Sequence, residues 1–396
     1  MEKPLKLHTN LVQGLRRMVD DYRAGIHPEA VMENHFRAHP RWGKRDRQWI
    51  KEMFYHYLRF RNRVDFYTEK CEGDDDFRIR ALIYSADSRY ESILEFTPAQ
   101  RDCLGKARHE LPARPWLAYG ITEDFWEYIR HSNRYHEILS NLNAPSLPSV
   151  RVNTLKTSPE DMEKYWRRKN FLFRKGDFPG TYIFEKPYRL TSTGAYRRGW
   201  FEIQDVASQG VSHFAGPRAG ECVVDACAGA GGKTLHLAAL MQNKGELIAL
   251  DIDENKLKEL KRRARRAGVQ NLKEVSVASK AVVSRWEGRA DLVLVDAPCS
   301  SSGTYKRKPH RKWHFTGDFV KNILNTQRHV MDTYARLVRP GGHLVYATCS
   351  VLPVENQKQI KAFLERNKDF IFVDEQIWYP GPDVGDGFYV AKLLKQ

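Results

Sequence analysis

The hydrophobic positions change their period twice along the chain. In the front part, Leu11, Leu15, Met18, Val19 and Tyr22 recur at three-to-four spacing, as do Ile50, Met53, Phe54, Tyr57 and Leu58. That spacing predicts helices with one apolar face. The charged run Gly43-Lys-Arg-Asp-Arg-Gln opens the second, and the turn-rich Asn143-Ala-Pro-Ser-Leu-Pro-Ser closes this part. From Ser149 to about Glu202 apolar residues alternate at period two around 149–153, 171–174, 182–185 and 200–203, with one helical stretch from Pro159 to Trp166. These are the marks of a small α+β module. From Asp205 on, near-continuous apolar runs at 222–225, 246–251, 291–296 and 343–348 alternate with amphipathic stretches such as 254–267 and 319–337. Strands that are apolar throughout are covered on both faces, so this part is expected to be a Rossmann-like, doubly wound α/β sheet. Its ligand belongs at the carboxyl ends of the strands. The expected domains are 1–145 (helical), 146–204 (α+β) and 205–396 (α/β).

Composition narrows the classes. A chain of 396 residues calls for two or three domains, and 41% hydrophobic with 12% aromatic residues excludes wholesale disorder. Mean hydropathy is −0.61, and no apolar run is long enough to span a membrane or to act as a secretory leader. Cysteines stand at 71, 103, 222, 227, 299 and 349 without a C-x-x-C pair. The expectation is a reduced, cytoplasmic protein with no metal site and no disulfide framework. Lys+Arg 65 against Asp+Glu 49 leaves +16, which points to a polyanionic partner, nucleic acid first.

Candidate chemistry sits where strands are expected to end. The first ends in Asp225-Ala-Cys-Ala-Gly-Ala-Gly-Gly-Lys-Thr. Gly232-Lys233-Thr234 suits a phosphate-gripping P-loop, but Cys227 occupies the place of its first glycine. A nucleoside site is the competing reading. It requires an acid at the end of the next strand for the ribose hydroxyls, and Asp251 is there. Cys299 follows the strand ending at Asp296, and Cys349 follows another. A single cysteine usually fills core space, whereas two at strand ends beside a ligand loop converge on the binding crevice. A helix opening near Pro353 is expected to favour the Cys349 thiolate through its N-terminal dipole. A thiolate can add to an electrophilic carbon such as C6 of a pyrimidine, which makes C5 nucleophilic. The segment Lys306-Arg-Lys-Pro-His-Arg-Lys-Trp suits RNA, with Lys306, Arg307, Lys308 and Arg311 for phosphates and Trp313 for a base. Arg151 and Asn153 are weaker candidates for RNA contact from the middle module.

Taken in order, these motifs resemble the RNA cytosine-5 methyltransferases of the Nol1/Nop2/Sun family, within it the bacterial 16S ribosomal RNA enzymes of the Fmu/Sun kind. Residues 43–64 resemble the NusB-like helical domain at the front of the bacterial members, and Val150-Arg-Val-Asn-Thr-Leu-Lys the family's N1 segment. Gln204-Asp-Val-Ala-Ser, 225–234, Asp296-Ala-Pro-Cys-Ser, Thr348-Cys-Ser with Glu355-Asn, and Asp386-Gly-Phe-Tyr-Val-Ala-Lys follow. The paired Pro-Cys-Ser and Thr-Cys-Ser are specific together. The resemblance implies an enzyme with S-adenosylmethionine (SAM) as methyl donor and cytosine in RNA as acceptor, foremost in 16S rRNA, with tRNA as the alternative. It implies Cys349 as nucleophile on C6, Cys299 as the residue that resolves the adduct, and Asp296 at the N3/N4 edge with Lys233 beside it. For the cofactor it implies Asp225, Ala226, Cys227, Ala228, Gly229, Gly231, Gly232, Lys233, Asp251, Ser279 and Asp296, with Asp251 on the ribose. Ser279 stands where the family usually carries an aspartate. A monomer is expected. A P-loop NTPase and a non-catalytic RNA-binding assembly factor are the rival readings.

Overall fold

The computed structural model describes residues 7–396. The chain divides into two compact units, one running up to Tyr135 and including Lys308–Gly317, the other 136–307 with 318–396. The four-stranded and seven-stranded sheets therefore cluster together, where the sequence pattern suggested separate domains. No helix among the described residues is long and apolar enough to cross a membrane.

The first unit is helical: α1 (Thr9–Arg23), α2 (Pro28–Ala38), α3 (Lys44–Lys70), α4 (Asp75–Ala86), α5 (Pro98–Glu110), α6 (Pro115–Ala118) and α7 (Glu123–Ile129). Its core is the stripe the periodicity marks, Leu15, Met18, Ile50, Phe54 and Tyr57, closed by Phe77 and Leu82 of α4. Asp74 and Thr97 start α4 and α5 by accepting the backbone N–H of Phe77 and Gln100, bonds that satisfy otherwise orphaned donors. Residues 308–317 belong to this unit. The Trp313 indole donates to the Leu58 carbonyl at 2.8 Å, and Thr122 Oγ1 donates to the Phe315 carbonyl. Cys71 and Cys103 form a disulfide, which corrects the expectation of reduced cysteines throughout. Sequence alone placed these two residues 32 positions apart with nothing to pair them.

The second unit begins within α8 (Tyr135–Asn143), followed by β1 (Ser149–Val152), α9 (Pro159–Arg168), β2 (Phe173–Lys175), β3 (Thr181–Phe184), α10 (Gly194–Arg197) and β4 (Phe201–Ile203). The four strands make an antiparallel sheet ordered β2-β3-β1-β4. Trp166 of α9 is fully buried against Phe173, Tyr182, Phe184 and Phe201. Next come α11 (Val206–Ala215), β5 (Cys222–Asp225), α12 (Gly232–Leu240), β6 (Glu246–Asp251), α13 (Glu254–Ala267), β7 (Leu272–Val277), α14 (Lys280–Trp286), β8 (Ala290–Asp296), α15 (Gly317–Ala335), β9 (Val338–Thr348), α16 (Gln357–Arg366), β10 (Phe370–Trp378) and β11 (Phe388–Lys395).

The large sheet is ordered β10-β11-β9-β8-β5-β6-β7. Strands β7, β6, β5, β8 and β9 run parallel, and β11 lies antiparallel between β9 and β10. Val223, Val224, Leu247, Ile248, Leu250, Val293, Leu294 and Val345 are fully buried, as strands covered on both faces must be. The order reverses between β5 and β8, which places the crevice for a ligand outside their carboxyl ends.

Replacing the central indole of the small module tests this packing. Trp166→Ala is expected to lower stability by about 3–5 kcal/mol in chemical denaturation, and a loss near zero would contradict the burial described.

Candidate active site

The site begins with the loop between β5 and α12. Gly231 has φ +88°, and a Cβ there would meet Leu260 Cγ at 2.8 Å, so the turn needs glycine. A Cβ at Gly229 or Gly232 would meet nothing within 4 Å, so the backbone there faces open space, a cradle that side chains would fill. The loop is held from below. Ala226 N–H donates to the Leu294 carbonyl and Ala228 N–H to the Leu250 carbonyl. Gly229 N–H donates to Asp251 at 2.8 Å, and Arg263 reaches the Ala230 carbonyl at 2.7 Å. Asp251 accepts Asp253 N–H with its other oxygen.

Asp225 is fully buried. One oxygen accepts the Thr234 hydroxyl at 2.7 Å, and the other is buried with no partner among the described residues. Burial pushes its carboxyl up to about 7. An unpartnered buried oxygen beside an open glycine cradle fits a ligand that brings its own donors. Ile252, next to Asp251, is 82% exposed and offers an apolar face beside the acid. The sequence reading passed over it, although an isoleucine directly after a strand-end acid breaks the polar pattern of a loop. Ser279 caps α14, its hydroxyl accepting Val282 N–H at 3.3 Å.

Strands β8 and β9 bring the reactive residues together. Cys299 Sγ and Cys349 Sγ are 3.3 Å apart. Lys233 Nζ lies 2.6 Å from Asp296 Oδ2 and stands over the Phe388 ring. Lys233 therefore pairs with the acid of the neighbouring strand, and Thr234 with Asp225. These partners remove the phosphate grip that a P-loop needs. The hydrogen bond from Cys299 is the main cause that holds the Cys349 thiol below its ordinary range, with Ser301 and Lys233 acting in the same direction against burial and Asp296. The same contact with Cys349, together with burial, holds Cys299 well above it. The two shifts oppose each other, so Cys349 gives up its proton more readily than Cys299. The expected helix dipole is not the cause: α16 begins only at Gln357, eight residues beyond Cys349, after turns at 353–356.

Several RNA candidates are placed elsewhere. Arg151 is buried and donates to Gln204 Oε1 at 2.9 Å, and burial lowers it to about 10. Asn153 is buried and donates to the carbonyls of Gly199 and Ala267. Arg151 ties β1 to the segment between β4 and α11, Asn153 ties the end of β1 to α13, and neither faces outward, which corrects the reading of them as RNA contacts. Lys306 is buried and donates to the carbonyls of Gly381 and Gly385. Trp313 is held through its indole N–H and lies beside Arg61. Arg307 forms an ion pair with the buried Asp386 yet keeps 42% of its side chain exposed. Lys308 is half-buried and Arg311 is exposed.

A glycine cradle opening a helix, an acid closing the second strand and one reversed strand near the sheet edge define a SAM-dependent methyltransferase. Residues 213–394 match the family model described as 16S rRNA methyltransferase RsmB/F. Ribosomal RNA small subunit methyltransferase B of Vibrio cholerae is 30% identical over 350 residues, 83% of this chain and 76% of that protein. The chain belongs to this family, and it is an RNA methyltransferase. The enzyme of the same name from Salmonella newport is 36% identical over 229 residues, 56% of this chain and 53% of its own length. The crystal structure of PH0851 superposes with a TM-score of 0.80 at 25% identity, covering 99% of this chain and 100% of that one.

The opposed shifts set an order of reactivity. At about pH 7, limiting iodoacetamide is expected to alkylate Cys349 before Cys299, as read by peptide mass spectrometry. The reverse order would contradict the assignment of the thiolate.

Proposed function

We propose that the enzyme methylates carbon 5 of a cytosine in 16S rRNA through a transient bond between Cys349 and C6. The carrying observation is the 3.3 Å contact of a depressed thiol with a raised one, beside the Lys233–Asp296 pair. The Cys349 thiolate adds to C6, and the electron pair of the C5=C6 bond moves toward C5 and the N3 side of the ring. Asp296 faces the N3/N4 edge, and Lys233 offsets the negative charge that builds there. SAM supplies an electrophilic methyl group to C5; Asp251 would hold its ribose, Ile252 its base, and the cradle with Asp225 its charged end.

Release needs a base for the C5 proton, and Cys299 is suited to that stage. The largest cause of its raised thiol is the neighbouring Cys349. Once Cys349 is bonded to carbon it carries no charge, so Cys299 ionises more readily. Its thiolate takes the C5 proton, the C5=C6 bond re-forms, and Cys349 leaves as thiolate. The base must leave its stack to reach Cys349, so a loop, junction or opened helix is the acceptor. The helical unit acts as a NusB-like RNA-binding domain, and the exposed Arg307 and Arg311 contact phosphates. A cytoplasmic monomer is the setting this reading implies.

Cys349→Ala is expected to abolish methyl transfer from labelled SAM while leaving SAM binding intact. Cys299→Ala is expected to trap a protein–RNA adduct that survives denaturation. Normal turnover by either variant would refute the two-cysteine chemistry. Incorporation into 16S rRNA rather than tRNA is expected, and RNA affinity is expected to fall steeply with salt.

A further inference from the structure

The two cysteines sit on separate loops, and one buried carboxylate ties both loops down. Glu355 is fully buried. Its oxygens accept Ser300 N–H at 2.8 Å and the Ser300 hydroxyl at 2.5 Å, and Ser300 is the residue after Cys299. They also accept the Ser350 hydroxyl at 2.6 Å, and Ser350 is the residue after Cys349. The fourth donor is Gln327 Nε2 at 3.0 Å, which also donates to the Pro298 carbonyl on the Cys299 loop. Gln327 is itself buried and accepts from Gln359.

The backbone of Glu355 completes the arrangement. Its carbonyl accepts the Tyr346 hydroxyl, and the next residue, Asn356, holds Thr348 Oγ1 and the Ser350 carbonyl on either side of Cys349. The four donors to the carboxylate are neutral. A buried carboxylate without a counter-ion is costly unless donors fill its lone pairs, and here they come from both cysteine loops at once.

We infer that Glu355 is a positioning residue that holds Cys299 against Cys349, so that it governs release of the methylated base more than attack on it. Attack needs only the Cys349 thiolate and a seated cytosine. Release needs Cys299 at the C5 proton while Cys349 is bonded to C6, which makes it sensitive to the spacing of the two loops. In that step the C5–H bond breaks, the proton goes to the Cys299 thiolate, and the pair re-forms C5=C6. The C6–Sγ bond of Cys349 then breaks, and its electron pair stays on sulfur. Glutamine at 355 keeps one acceptor and turns an amide donor toward the donors of the loops, so one loop loses its anchor.

This inference rests on the proposed two-cysteine chemistry. The experiment compares Glu355→Gln and Ser350→Ala with the parent and with Cys299→Ala, using 16S rRNA and labelled SAM. Single-turnover methyl transfer, steady-state turnover, denaturation-resistant adduct and melting temperature are measured for each. The expected result is that Glu355→Gln keeps methyl transfer within a few-fold while steady-state turnover falls roughly 100-fold, the scale of a misplacement near 1 Å. Adduct accumulates in that variant although both cysteines are present, and Ser350→Ala shifts the same balance less. Equal loss of single-turnover and steady-state rates without adduct, in variants that melt near the parent temperature, would overturn the inference. Should Glu355→Gln fail to fold, Ser350→Ala decides by the same readings. If Cys299→Ala gives no adduct, the underlying chemistry fails; if it does and Glu355→Gln and Ser350→Ala do not, only the role of Glu355 fails.

Discussion

The site depends on the parallel pairing of β8 with β9. Asp296 lies opposite Ala347 in that register, so the two chains leave the sheet side by side and at the same height. The loops that follow carry Cys299 and Cys349, and their sulfurs meet at 3.3 Å. Neither loop sets this distance alone. Adjacent parallel strands give the approach, and hydrogen bonds beneath the loops refine it. Any account of nucleophile and base follows from that juxtaposition, because a thiol can lower its neighbour's proton affinity only at contact range.

The same edge of the sheet concentrates acids. Asp225, Asp251 and Asp296 close three neighbouring strands, with Lys233 as the paired cation. Three carboxylates so close would repel one another, and the structure treats each differently. Asp296 is paired with Lys233, Asp251 accepts two backbone N–H groups, and Asp225 is pushed up to about 7. The residual field favours a ligand with positive charge and donors, which are the features of SAM near its sulfonium and amino group. The basic character of the chain, +16 overall, suits a polyanionic partner. An acidic crevice suited to a cationic donor and a basic overall charge thus occur in one chain.

Much of this was legible from residue order. Continuous apolar runs mark β5, β6, β8 and β9 because burial on both faces leaves no room for alternation. The glycines at 229, 231 and 232 and the acid at 251 are local features and read directly. The parts that escaped depend on distant partners. Arg151 and Asn153 are polar residues in and just after a short strand, so they read as outward-facing; their acceptors lie 53 and 114 positions away at Gln204 and Ala267. Glu355 reads as an acid near a helix start, yet its role comes from serines that strand pairing brings to it. The reversed β11 enters only as the motif after Asp386, since direction within a sheet leaves no mark on periodicity. The grouping of 308–317 with the helical unit likewise rests on contacts such as Trp313 with Leu58.

The central claim is that Cys349, and not Cys299, bonds to the pyrimidine. An RNA acceptor carrying 5-fluorocytosine at the target position tests it directly, because fluorine replaces the C5 hydrogen whose loss releases the enzyme. Incubation with SAM, protease digestion and mass spectrometry then locate the nucleotide. A methylated fluoronucleotide on Cys349 is expected in the parent enzyme. Attachment at Cys299, or methylation with no attachment, would contradict it.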